Sequence, residues 1–148
     1  MLRTMKAAAL AALLMLCCGQ AVAAEGLKDE EQVLALTRRM METAMTREPD
    51  AVFAMLKPHY PVDPAEIDAL SSNARMYWAA ITTRFGKPLA YELVQTERIG
   101  KSFVRYTFLQ KFEKHALRWT FSFYRPKDSW LANTFKFDDT IEPLYQAD

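Results

Sequence analysis

The stretch Leu117-Arg118-Trp119-Thr120-Phe121-Ser122-Phe123 alternates large apolar residues with polar ones without a break. A period of two places Leu117, Trp119, Phe121 and Phe123 on one side of a β-strand, and Arg118, Thr120 and Ser122 on the other. The same period extends in both directions. Upstream, Val104, Tyr106 and Phe108 alternate with Arg105 and Thr107, and before them Leu89, Tyr91 and Leu93 alternate with Ala90, Glu92 and Val94. Downstream, Leu131, Phe135 and Phe137 share one side of a last strand. Turn residues separate the four runs: Gly100-Lys101, Glu113-Lys114-His115 and Pro126-Lys127-Asp128-Ser129. The spacing predicts strands over 89–98, 102–112, 116–125 and 129–138. Such short connections make consecutive strands antiparallel neighbours in a meander.

The period is different before Pro88. Asp63-Pro64-Ala65-Glu66 reads as a helix start, with Asp63 as cap, Pro64 at the first helical position and Glu66 able to bond back to the cap. Ile67, Leu70, Ala74, Tyr77, Trp78, Ile81 and Phe85 then form a stripe at three- and four-residue steps, which Gly86 and Pro88 end. Two shorter helices are predicted upstream, over 28–46 and 51–57. Asp29, Glu30 and Glu31 suit the positive end of the first dipole, and Pro58, Pro61 and Pro64 hold the connection to the long helix extended.

Helices followed by a meander define an α+β domain. The strongly apolar sheet face needs a cover, and the Ile67–Phe85 stripe is the expected one. The other face carries Glu92, Arg105, Thr107, Arg118, Thr120, Ser122, Thr134 and Lys136. Phe103, Leu109, Tyr124 and Trp130 are expected on that outer face too, as a candidate contact for a second copy or for an envelope protein partner. On this reading Trp119→Ala unfolds the domain, whereas Trp130→Ala leaves it folded and alters self-association.

Length and composition agree with one globular domain. The chain has 148 residues, is 51% hydrophobic and 12% aromatic, and carries a formal charge of +1. That is too much apolar material for a disordered tail, and four glycines and two cysteines are too few for collagen or a disulfide scaffold. Arg3 and Lys6 precede an apolar run from Ala7 to Cys18, followed by Ala21-Val22-Ala23-Ala24. A basic start, a short apolar run and small residues read as a secretory signal peptide over 1–24, cut after Ala23 or Ala24. The run is shorter than the roughly 20 residues that span a bilayer, so no stable membrane span is expected after cleavage. The expected compartment is periplasmic or extracellular, with a single domain over 25–148. Both cysteines, Cys17 and Cys18, fall in the removed segment, and Leu16 before Cys17 is a poor match to a lipoprotein signal. The mature chain then has no thiol, and without Arg3 and Lys6 it holds 17 basic against 18 acidic residues.

Helices first, a Gly86–Pro88 break, and a meander closing with Tyr124-Arg125-Pro126-Lys127-Asp128-Ser129-Trp130 and Phe135-Lys136-Phe137-Asp138-Asp139 resemble small secreted bacterial proteins of the NTF2-like, or cystatin-like, superfamily. The resemblance covers the chain from about Lys28 onward. It implies a cone with a pocket between helices and sheet, and in many members a dimer through the outer sheet face. His59-Tyr60-Pro61-Val62 stands where that superfamily usually has a strand between its second and third helices. Members include ligand binders and proton-shuttling isomerases that pair a carboxylate base with a tyrosine.

Motifs for chemistry are few. His59 and His115 lie far apart with no Cys partner, so no metal site is predicted, and Asp138-Asp139 are adjacent strand residues that point to opposite faces. No Gly-x-Ser-x-Gly elbow, phosphate loop or dinucleotide fingerprint occurs, so no catalytic residue and no cofactor is assigned. Basic residues are offset by Glu92, Glu97 and Glu113, which argues against nucleic acid. The polar exceptions on the apolar sheet face, Tyr91, Tyr106 and Asn133, with Trp119 between them, are the candidate site for a small apolar ligand. The expected function is that of an envelope module acting through self-association or a protein partner. The alternative is a carrier of a small apolar ligand, followed by a small isomerase or hydratase.

Overall fold

A computed structural model describes residues 23–145, so the signal-peptide reading lies, but for Ala23 and Ala24, outside the described residues. Three helices, α1 (Glu30–Ala44), α2 (Pro49–Leu56) and α3 (Pro64–Phe85), precede four strands, β1 (Pro88–Ile99), β2 (Phe103–Phe112), β3 (Ala116–Tyr124) and β4 (Leu131–Asp138). The strands pair antiparallel in chain order, giving an open α+β meander with free edges at β1 and β4. Among the described residues His59–Val62 form no strand; Lys57–His59 make a 3-10 turn.

Local chemistry explains the starts of α1 and α3 and the end of α3. Asp29 Oδ1 accepts from the Gln32 amide at 2.9 Å, and Gln32 Oε1 in turn accepts from the Lys28 amide at 2.8 Å. These two bonds start α1 one turn before its first buried residue, the Gln32 side chain reaching back to the amide that precedes the cap. Asp63 caps α3 as expected, accepting from the Ala65 amide at 2.9 Å. The Glu66 amide bonds to the Asp63 carbonyl at 2.9 Å, so its main chain, rather than the expected carboxylate, meets the cap. Gly86 ends α3 with φ +85°, ψ −152°, a backbone region open essentially to glycine. A Cβ there would lie 2.3 Å from Glu113 Oε2, which accepts the Lys87 amide at 3.0 Å.

The helix that covers the sheet is α1, not α3. Val33, Leu36, Met40, Met41 and Ala44 repeat at three and four residues and are all buried against Val104, Phe108, Trp119, Phe121 and Phe123. Each large apolar side chain among them contributes about 1.5–3 kcal/mol by burial. Of the α3 stripe, Ile67, Ala74, Trp78 and Phe85 are buried, but Leu70 is 52% exposed and Tyr77 66% exposed. The helix meets the sheet through Trp78, whose ring lies 6.5 Å from Trp119 of β3, 6.2 Å from Phe137 of β4 and 6.2 Å from Phe112 of β2, and through Phe85, 6.0 Å from Phe112. Of the seven residues of that stripe four are buried, Ile81 is half-buried and two are on the surface, with α1 over the centre of the sheet.

Bulges account for the other departures from the simple alternation. Opposite Ser122 and Phe123, β4 carries one extra residue, Asn133, so Ala132 and Phe135 both face inward while Leu131 and Thr134 face outward. A one-residue insertion inverts every side chain on one side of it. Hence Leu131 pairs with Tyr124 on the outer face, and Trp130, expected on that outer face, is 1% exposed inside the core. Leu89 is the extra residue of a bulge between Pro88 and Ala90 and is 62% exposed, not on the apolar face. A third bulge at Val94 turns Arg98 toward α1, where its guanidinium grips Glu30 at 2.7 and 3.0 Å.

Both termini of the described chain return to the sheet. Leu27 and Trp130 exchange backbone hydrogen bonds of 2.8 and 2.7 Å, and the Glu25 amide donates to the Pro58 carbonyl at 2.8 Å. His59 Nδ1 donates to the Glu25 carbonyl at 2.7 Å, which requires the proton on Nδ1 because a carbonyl only accepts. Gly26 passes so close that a Cβ would sit 2.3 Å from Ser129 Oγ. After β4, Pro143 and Leu144 of a 3-10 turn line a 230 Å³ hollow on the outer face with Thr107 and Thr120, both buried for that reason.

Candidate functional site

The four residues expected to line one cavity are separated in space. Trp119 is 0% exposed, so no void reaches it. Its Nε1 donates to Gln110 Oε1 at 2.8 Å, and Gln110 Nε2 donates to the Ala44 carbonyl at 2.9 Å. This chain satisfies an indole, a buried amide and one of the last carbonyls of α1, which helix geometry leaves without an internal partner. Gln110 continues the Val104, Tyr106, Phe108 alternation by one step and was legible on that ground. Tyr106 is buried, with its hydroxyl 3.5 Å from the Glu30 carbonyl. Asn133 is the exposed bulge residue rather than an inner-face one; its main-chain carbonyl accepts from the Tyr60 hydroxyl.

Tyr91 lies at the margin, donating to Glu42 Oε1 at 3.3 Å. Burial first, and the Glu42 charge and hydrogen bond after it, push the Tyr91 phenol above its ordinary value. Burial and then the Glu30 charge do the same for Tyr106. Both phenols are therefore neutral donors at ordinary pH. Among the described residues the only carboxylate bonded to either is the exposed Glu42, on the helix surface rather than in an enclosed cavity.

Of the four expected interface residues, Phe103 and Tyr124 stack at 4.7 Å across paired positions at one end of the outer face. Leu109 is half-buried on the same face farther along β2, and Trp130 is interior.

The open space between helices and sheet lies at the β4 edge. There a groove of about 420 Å³ opens between α3 and the end of β4. Its floor is Phe53, Ala74, Ile81, Phe85, Leu117 and Phe137, all buried or half-buried. Tyr77, Ala80 and Arg84 from α3 form one lip, and Lys136, Asp138 and Asp139 form the other. An apolar floor with a few charges at its rim is the usual make-up of a small-ligand site, and the volume lies in the usual range. A second hollow, about 540 Å³, opens where α1 joins α2; its carboxylates Glu48 and Asp50 are both engaged by Arg75, at 3.0 and 3.1 Å.

Charges at the groove are unequally committed. Asp138 accepts from Arg118 Nη2 at 2.9 Å and from the Thr140 amide at 2.9 Å. Burial alone pushes the Asp138 carboxyl up, but the Arg118 hydrogen bond, the Thr140 amide and the Arg118 and Lys136 charges together outweigh it and hold the group below its ordinary value. Arg84, by contrast, meets Asp139 only at 3.5 Å and lies over the Phe85 ring at 5.2 Å. Lys136 is in no ion pair among the described residues. No group of three or more His, Cys, Asp or Glu side chains is placed to hold a metal ion among the described residues, and no described helix is long and apolar enough to cross a membrane.

No family model, no curated protein and no solved structure matches this chain.

Proposed function

We propose that this protein is an exported binding module, periplasmic or secreted, which takes a small, largely apolar ligand in the groove between α3 and β4. The groove itself carries the reading. An apolar floor of Phe53, Ala74, Ile81, Phe85, Leu117 and Phe137 is left open between α3 and β4, with Tyr77, 66% exposed, on the helix that borders it. A helix-and-sheet groove of this kind also fits the pocket expected from the cystatin-like resemblance. Export is supported by the basic, apolar and small-residue succession of 1–24.

Ala80 is the test position, because it is exposed on α3 yet lines the groove. The parent is expected to bind the neutral fluorophore N-phenyl-1-naphthylamine saturably, and Ala80→Trp, with an unchanged circular dichroism spectrum, to lose that binding by fillin the space. Equal binding by the two proteins refutes the groove.

A second reading, self-association, rests on the Phe103–Tyr124 stack, with Ile99 beside it 73% exposed. It concerns the far end of the outer face and is compatible with an occupied groove.

A further inference from the structure

We infer that the outer face of the sheet holds a second site, for a small hydrophilic carboxylate, in the 230 Å³ hollow bordered by Pro143 and Leu144. The strand register builds it. Gln95 stands opposite Thr107, Thr107 opposite Thr120, and Thr120 opposite Lys136, so four hydrogen-bonding side chains form one row across all four strands. All four line the hollow. At strand spacings of about 4.8 Å the row is roughly 14 Å long. Thr107 is 3% exposed and Thr120 7%, yet neither hydroxyl has a hydrogen-bond partner among the described residues. Buried polar groups are as a rule satisfied, so two adjacent unpartnered hydroxyls facing one hollow point to a bound acceptor.

Charge selects that acceptor. Arg105 and Glu97, at one end of the hollow, cancel through two bonds of 2.7 Å. Arg118, which also lines it, gives Nη2 to Asp138 at 2.9 Å, and its Nε is buried with no partner. Lys136, turned to this face by its pairing with Thr120, is in no ion pair among the described residues. One uncompensated cation calls for one negative charge, a carboxylate rather than a dianion. The Thr107 and Thr120 hydroxyls can donate to that carboxylate, in the stronger kind of hydrogen bond that an ionised acceptor makes. Gln95, farther along the row, suits a hydroxyl of the same molecule. The volume admits a compound of a few carbons, and the polar walls set this site apart from the apolar groove on the other side of the sheet.

The test titrates the isotope-labelled full chain with glycerate, with glycerol as the uncharged molecule of the same carbon skeleton, and with sulfate as a dianion. Backbone amide shifts are read by NMR at about pH 7 and low salt. Glycerate is expected to move the amides of Thr107, Thr120 and Lys136 saturably, and to bind about tenfold or more tightly than glycerol or sulfate. Thr120→Val keeps the shape without the hydroxyl. It is expected to weaken glycerate by about tenfold, and to leave the urea midpoint unchanged or raised, because a buried unpaired hydroxyl is gone. Lys136→Gln, at an exposed position, is expected to reduce glycerate binding to the level of glycerol. Glycerol or sulfate equalling glycerate, shifts confined to residues away from the hollow, or undiminished binding by either variant overturns the site. None of these outcomes bears on naphthylamine binding in the groove.

Discussion

Replacing Gln110 by leucine keeps the size of the side chain and removes the fully buried polar link between α1 and the sheet. Two bonds are lost, from Trp119 Nε1 at 2.8 Å and to the Ala44 carbonyl at 2.9 Å, and both partners stay buried where water cannot replace the amide. An unsatisfied buried donor or acceptor costs about 1–3 kcal/mol, and burying an apolar side chain instead of an amide returns about 1 kcal/mol. With two groups orphaned, the expected loss is therefore about 1–5 kcal/mol, centred near 3 kcal/mol. With a urea dependence of about 1–3 kcal/mol per molar, the midpoint of unfolding falls by roughly 1–2 M without a change of slope. In a Trp119→Phe background one of the two orphans no longer exists, so Gln110→Leu should cost about 1–2 kcal/mol less than in the parent. Urea titration by circular dichroism of the four proteins measures this. Gln110→Leu within about 0.5 kcal/mol of the parent, or strictly additive single changes, would show that the network contributes nothing beyond packing.

Trp130→Ala should destabilise by about 3–5 kcal/mol, as for a large core residue, while Trp130→Phe costs less than Trp119→Phe, because the Trp130 indole N–H is buried without a partner; thermal unfolding distinguishes the two. Asp138, held below its ordinary value, contributes stability that is complete above the ordinary carboxylate value of about 4 and is lost as pH falls through the depressed one. Asp138→Asn should therefore be less stable than the parent at pH 7, with the gap closing below about pH 4 in urea titrations; a gap that does not vary with pH refutes the pairing. Tyr124→Ser, at an exposed stacked ring, should change stability by no more than about 1 kcal/mol and lower any self-association seen by sedimentation velocity; an unaltered dimer would remove the outer-face reading.

Period and punctuation carried most of the fold. The four strands and α3 stand within one or two residues of their predicted positions, because clean alternation and the Asp63–Pro64 and Gly86–Pro88 signals are local. What escaped was phase and competition. An extra residue at Asn133 inverts the sides of Trp130 and Leu131, and nothing short-range in Leu131-Ala132-Asn133-Thr134 marks it. Which helix covers the sheet depends on α1 and α3 competing for one face, a tertiary outcome that two apolar stripes of similar length leave open. The candidate site was least legible: Tyr91, Tyr106, Trp119 and Asn133 do not share a cavity, and the groove lies instead at the margin, where the Ile81 stripe does meet the Phe137 side of the sheet but Phe53 of α2 completes the floor. Gln110 was within reach, being two residues beyond Phe108 on the same face, as was the Asp29-x-x-Gln32 capping pair.

The strand order has a consequence for the way the chain assembles. Every strand pairs with its neighbour in sequence, so the whole sheet closes through short loops and low entropic cost. The contact that seats α1 spans 66 residues, from Gln110 back to Ala44. Synthesis releases the helices first, yet α1 has nowhere to bury Val33, Met40 and Met41 until β2 and β3 exist. That order makes the hairpins the expected nucleus and α1 the expected late contact, to be read from the folding and unfolding rates of variants in each. Changes on β2 and β3 belong to the folding rate, and changes on α1 to the rate at which the finished domain comes apart.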